Sequence, residues 1–221
     1  VDEGKDVANS LPHHIKTTKT GTKVPASYDG YQSDDTVLMP LGGSGDAFAF
    51  ALSRRGEEIG AYVYRLPQYV LKDKRGDDNK DDDAELLIGI FLQSPELFYA
   101  VTPRERDIIL VREQWRARDS AQYARKACQQ RLFQRAIGRI FLSDHGRYPE
   151  GTIEDSYAAI RANDRVLQNL YAAEKEEEKL LAEYVSRIPI YAVLSEVEGC
   201  GPILAARLIA AIGDINRFAT D

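Results

Sequence analysis

Gly199 and Gly201 bracket one apolar residue in the run Val197-Glu198-Gly199-Cys200-Gly201-Pro202-Ile203-Leu204-Ala205-Ala206-Arg207. A pair of glycines lets a backbone turn tightly and approach a ligand closely. Pro202 is suited to the first position of a helix, where a missing N–H costs nothing. The free N–H groups and positive dipole end of such a helix favour an anion, and a nucleic-acid phosphate is one. With a short apolar helix before the turn and an Ala-rich helix after it, the pattern reads as a helix-hairpin-helix that grips nucleic-acid backbone. Gly199, Cys200, Gly201, Ile203 and Arg207 are its candidate DNA contacts. Ala205 and Ala206 would let the helices pack closely, and Leu204, Leu208 and Ile212 recur at i, i+4 and i+8 as a predicted hairpin core. An ordinary αα-hairpin with a Gly-rich turn shares the glycines.

A second chemistry-bearing cluster is Asp77-Asp78-Asn79-Lys80-Asp81-Asp82-Asp83, which leads into the apolar stretch 84–92. Carboxylates so placed could hold a hard cation. They could equally form a solvated loop that caps the following helix. His13, His14 and His145 have no metal-ligand spacing and read as loop histidines.

The elements that must carry these groups follow from periodicity. Residues 1–36 are polar and aperiodic. Thr36-Val37-Leu38-Met39 reads as a buried strand, Gly42-Gly43-Ser44-Gly45 as a turn with Ser44 as N-cap, and 46–55 as a helix. A second strand over 61–66 ends at Pro67, and a charged loop over 72–83 precedes the apolar helix. Thr102-Pro103-Arg104-Glu105 is a capping-box helix start, with no breaker before Gly138 and one face formed by Ala121, Ala124, Cys128 and Leu132. A second helix is predicted over 153–187, with Ile160, Leu167, Leu170, Leu181, Tyr184 and Ile188 on its seam and Glu174 and Glu177 interrupting it. The two should form an antiparallel hairpin, one able to pair with another subunit.

Eleven Lys/Arg stand against five Asp/Glu over 104–147, whereas 77–85 and 174–178 are acidic blocks. A basic helix beside a phosphate-gripping hairpin is the footprint of a backbone binder, although a solvated helix face explains it too. The net charge of −6 argues mildly the other way.

The C-terminal run, closed by Ile212-Gly213-Asp214-Ile215-Asn216-Arg217-Phe218, resembles the G-h-G-P…A…L…IGDI-x-RF pattern (h, apolar) of the IS110/IS116/IS902-type transposases. The usual member reads Ile-Pro-Gly-Ile-Gly where this chain has Val197-Glu198-Gly199-Cys200-Gly201, and the turn glycines are kept. From about residue 36 to the end, the order of elements is also similar to that family. The resemblance implies an α+α/β architecture: a partial RNase H-like (RuvC-like) α/β portion over 37–101 after a polar segment 1–36, a helical hairpin or coiled coil over 102–187, and the helix-hairpin-helix over 188–221.

The resemblance further implies Mg²⁺ held by four carboxylates, with catalysis of DNA strand exchange by the full-length protein. Its K-x-D-x-x-D-A motif has its end in Lys80-Asp81-Asp82-Asp83-Ala84, so Asp83 matches the last aspartate and Asp78, Asp81 or Asp82 must supply the other. Asp2, in Asp2-Glu3-Gly4-Lys5, is a weak match to the first carboxylate. The candidate catalytic residues are therefore Asp83, Asp81, Asp78 and Asp2, with Asp83, Asp81 and Asp2 as metal ligands. The family's glutamate, ahead of a Gly pair, falls at Met39, so that ligand is missing here. The nucleophilic serine of the family lies beyond the hairpin. With Val1 at one end and Asp221 at the other, the chain reads as a fragment of a longer frame, and a catalytically inactive backbone-binding piece is the alternative reading.

The implied partners are DNA, a structured guide RNA and further copies of the chain, with no membrane. Hydrophobic content of 43% and charged content of 29% describe an ordinary soluble protein. Two cysteines, Cys128 and Cys200, give neither a disulfide framework nor a zinc site, and a reducing cytoplasm is the expected compartment.

Overall fold

The computed structural model describes residues 16–18, 21–23, 28, 30–75, 82–142 and 153–213. The chain divides into two compact units, Val1–Ile109 and Leu110–Asp221. It is mostly helical, with one small mixed sheet, and among the described residues no helix is long and apolar enough to cross a membrane.

In the first unit, β1 (Lys16–Thr18) and β2 (Gly21–Lys23) form an antiparallel pair. The principal sheet has the order β3-β4-β5: β3 (Thr36–Leu41) lies parallel to β4 (Tyr62–Pro67), and β4 lies antiparallel to β5 (Tyr99–Ala100). Helix α1 (Asp46–Ile59) connects the parallel strands and ends at Gly60, whose φ of 81° permits the left-handed stop. Its N-cap is Gly45, after a 3₁₀ turn at Gly43–Gly45, and not Ser44 as the sequence reading had it.

The period-two alternation of β4 divides its side chains between two cores. Val63 joins Met39, Ala49, Leu52 and Ile109 on one side, while Leu66 joins Leu71, Leu87, Ile90 and Phe98 on the other. Fully burying a leucine such as Leu52 or Leu66 contributes about 1.5–3 kcal/mol. The second core is built by α2 (Gln68–Arg75) and α3 (Asp83–Gln93), with Phe91 stacked edge-on to Phe98 at 5.1 Å. The expected charged loop from 72 is thus helical as far as Arg75. Leu71, buried beneath it, is the reason: an apolar anchor carries the charged turn into the core.

Helix α4 (Pro103–Phe141) is unbroken through Gly138, and Thr102 Oγ1 accepts the Glu105 N–H at 3.4 Å. The predicted second long helix is two: α5 (Ile153–Asn163) and α6 (Arg165–Ser186). Asp164 separates them because its extended backbone and side chain, accepting the Leu167 N–H at 2.8 Å, start a new helix. The pairing of α4 with α6 is antiparallel, since Gln114 meets Glu177, Arg125 meets Glu174 and Gln129 meets Tyr171.

Cys128 and Leu132 are buried against Leu167, but Ala124 is exposed, and Ala136 and Ile140 continue the buried face. Leu181 and Ile188 are buried, as their heptad places predict. Glu174 does not interrupt the seam. It is itself buried, because arginines from α4 reach it.

Helix α7 (Ile190–Leu194) and helix α8 (Pro202–Ile212) complete the second unit. The residues that seat α8 are Ala205, Ala206 and Ile209, at i, i+1 and i+4, whereas Leu204 and Leu208, expected in the core, are 44% and 37% exposed. Small side chains let α8 lie close to α6, and that approach selects which face turns inward.

Candidate nucleic-acid interface

The turn between α7 and α8 is made as its residues dictate. Gly199 has φ 82°, a conformation that L side chains rarely adopt, and the Cys200 N–H closes the turn on Val197 O at 2.9 Å. Gly201 is different: with φ −73° and ψ 177° it is the extended N-cap of α8, and no atom lies within 4 Å of where its Cβ would stand. Pro202 follows as N1, and no side chain caps this helix start. Cys200 is buried, so only its backbone faces the turn's surroundings, while Ile203 is 37% exposed and Arg207 exposed. Arg207 makes no ion pair with another described residue.

These groups open into a groove of about 530 Å³. One wall is the start of α8, from Gly201 and Pro202 to Arg207, and the other is a face of α4 carrying Trp115, Arg118 and Tyr123. Sequence reading missed that second wall. Its members recur at helical spacing, and that signal was available, but nothing local says which face of a long helix looks at a distant turn.

The basic character of α4 is largely spent inside the unit. Arg118 pairs with Glu178 at 2.8 Å and with Glu174 at 3.5 Å, Arg125 pairs with Glu174, and Arg112 Nε donates to Ala210 O at 3.3 Å. The acidic block on α6 is therefore the internal counter-charge of the basic helix, and the two are not segregated. Arg131, Arg135 and Arg139, at i, i+4 and i+8 on α4, remain exposed without an ion pair to any described residue, and with Arg207 they are among the cations open to a polyanion.

Glu174 sits below the usual carboxylate range. Burial opposes its ionisation, but hydrogen bonds and charge from Arg125, a hydrogen bond from Gln122 and the charge of Arg118 outweigh that.

Of the predicted carboxylates, Asp83 and its neighbour Asp82 lie among the described residues. Asp83, in the first turn of α3, is clasped by Arg75, whose Nε and Nη2 donate to its two oxygens at 2.7 and 2.6 Å. Asp82 precedes it, exposed. Asp2, Asp78 and Asp81 lie outside the described residues, among which no group of three or more His, Cys, Asp or Glu could hold a metal ion. Met39 is a core residue, 8% exposed. Across the strand pair from it stands Arg65, whose Nη1 meets Asp46 Oδ1 at 2.7 Å and whose Nη2 donates to Gly42 O at 2.9 Å. This buried pair, which sequence reading also missed, ties the glycine turn after β3 to β4.

The C-terminal helices lie in a segment that is similar to a transposase domain. Residues 191–221 match the model of the Transposase IS116/IS110/IS902 family, so the resemblance carried by the glycine turn and its following helix is borne out. No match to the chain is found among curated proteins or solved structures.

Proposed function

We propose that this chain is the nucleic-acid-binding part of an IS110-type transposase, gripping DNA through the start of α8 together with Arg207 and the arginine row on α4. The observation that carries the reading is the uncapped, glycine-opened helix start, lying in a groove beside a free arginine and inside the segment that matches the transposase family. In the full-length protein the activity is Mg²⁺-dependent DNA strand exchange, with a structured guide RNA as a further partner and the helical hairpin as the contact between copies. The α/β portion takes the RNase H-like role in that reading.

Backbone binding without cleavage is the second reading, and the carboxylates favour it. Asp83 is neutralised by Arg75 and a methionine occupies the place of the family's glutamate. The described residues do not fit a Mg²⁺ site, which would need Asp2, Asp78 or Asp81 as well. We therefore expect no Mg²⁺-dependent nicking of supercoiled plasmid by this chain; nicking that vanishes in Asp83→Ala would establish a complete metal site instead.

Fluorescence anisotropy with labelled DNA tests the binding itself. Affinity is expected to fall steeply between low and physiological salt, because each neutralised phosphate releases counterions. Gly201→Val is the informative variant. Valine fits the extended backbone and its Cβ stands in open space, so the fold should survive while the branched side chain blocks the approach of a phosphate. Undiminished binding by a folded Gly201→Val protein, or salt-independent affinity, would refute this interface.

A further inference from the structure

We infer that the groove between α4 and α8 receives an unpaired nucleobase, so that the module favours single-stranded or junction DNA over continuous duplex. The inference rests on the nucleic-acid reading above and specifies its substrate.

The α4 wall presents Trp115, Arg118, Asp119 and Tyr123 at i, i+3, i+4 and i+8, one contiguous helical face. Tyr123 is 69% exposed, and Trp115, two turns earlier on the same face, is partly exposed. The volume of about 530 Å³ lies within the range of about 300–1,000 Å³ typical of sites for small organic ligands.

Charge discriminates between a backbone track and a base site. A duplex backbone is followed by rows of free cations. In this groove Arg118 is already held by Glu178 and Glu174, Asp119 adds negative charge, and Arg207 alone has no ion pair with a described residue. A groove with aromatic rings on one wall and an unpaired arginine on the other matches one nucleotide: the base stacks on Tyr123, within reach of Trp115, and its phosphate lies near Arg207 and the start of α8. Asp119 offers an acceptor to an exocyclic amine of the base. Bases stacked within a duplex cannot enter such a groove, whereas those of a single strand or a junction can.

Trp115 is the only tryptophan of the chain, so its emission reports directly on the groove. A short single strand of mixed sequence and its blunt duplex serve as probes, with anisotropy and tryptophan emission read together in Mg²⁺-free buffer. The single strand is expected to quench Trp115 and to bind more tightly than the duplex. Tyr123→Ala should weaken the single strand on the order of tenfold, the loss of one base–aromatic stack, with little effect on the duplex, and Tyr123→Phe should restore it. Tyr123 is surface-exposed, so circular dichroism should show the variants folded. Binding of both probes without quenching, and unaffected by Tyr123→Ala, would overturn the base site and leave the backbone interface standing. Absence of binding to either probe would overturn both.

Discussion

Replacing Glu174 by alanine is expected to destabilise the C-terminal unit by about 3–5 kcal/mol, the usual cost of leaving one member of a buried pair uncompensated. Glu174 is 6% exposed and joined to Arg125, which keeps the Gln129 amide oxygen at 2.6 Å and Tyr171, its ring centroid at 5.0 Å, but no carboxylate partner among the described residues once Glu174 is gone. Arg118 would be spared, because Glu178 still holds it. Urea titration followed by circular dichroism measures the loss, and a double variant, Glu174→Leu with Arg125→Leu, should recover most of it, since an apolar pair of similar bulk leaves no charge stranded. A single-variant loss below about 1 kcal/mol, the value typical of surface pairs, would show that the network is solvated and weak.

The same carboxylate sets a pH dependence. Its folded-state value lies below the ordinary 4.5, so its contribution is fully present above that value and is lost as pH falls from there through the folded-state value. Wild-type stability should decline over that acid range, and Glu174→Gln should flatten the decline. An unchanged slope in the variant would exclude Glu174 as its source.

In the first unit, Asp46→Ala is expected to be of similar severity, again about 3–5 kcal/mol. Both partners are enclosed: Asp46 is 0% and Arg65 3% exposed, and the glycine turn is anchored through them. Removal of the carboxylate leaves a buried guanidinium without its counter-charge, still donating to the Gly42 carbonyl at 2.9 Å. Thermal melting of the variant should show early loss of the sheet-containing unit, and the double variant Asp46→Ala with Arg65→Met should be the more stable of the two. A double variant no better than the single would mean that Arg65 is not the group left stranded.

The sequence by itself determined what is local. The Thr102 cap and an uninterrupted run of helix formers made α4; Gly199 and Gly201-Pro202 made the turn and the start of α8; β-branched and aromatic runs made β3 and β4 near their predicted bounds. These depend on backbone sterics and on hydrogen bonds a few residues apart, which a linear reading captures. The family resemblance rested on the same local pattern, and the matched residues, 191–221, coincide with it.

Tertiary structure decided which face of each helix points where and which charges meet. Leu204 and Leu208 have the spacing of a core, yet Ala205, Ala206 and Ile209 are buried, because two helix backbones in close approach leave room only for small side chains. Glu174 looked like a fault in an apolar seam until arginines some fifty residues away on α4 came within hydrogen-bond reach. The basic stretch of α4 looked like open phosphate-binding surface until the acidic block of α6 was laid against it, which takes up Arg118 and Arg125 and leaves the row Arg131, Arg135 and Arg139 exposed. The groove has the same origin: Trp115 and Tyr123 belong to one helix and the glycine turn opens another, and only the fold brings two aromatic rings and a glycine-opened helix start to opposite sides of one cavity. Pairings between distant segments depend on helix rotation and approach distance, quantities that the packing of the whole unit sets and that no window of sequence contains.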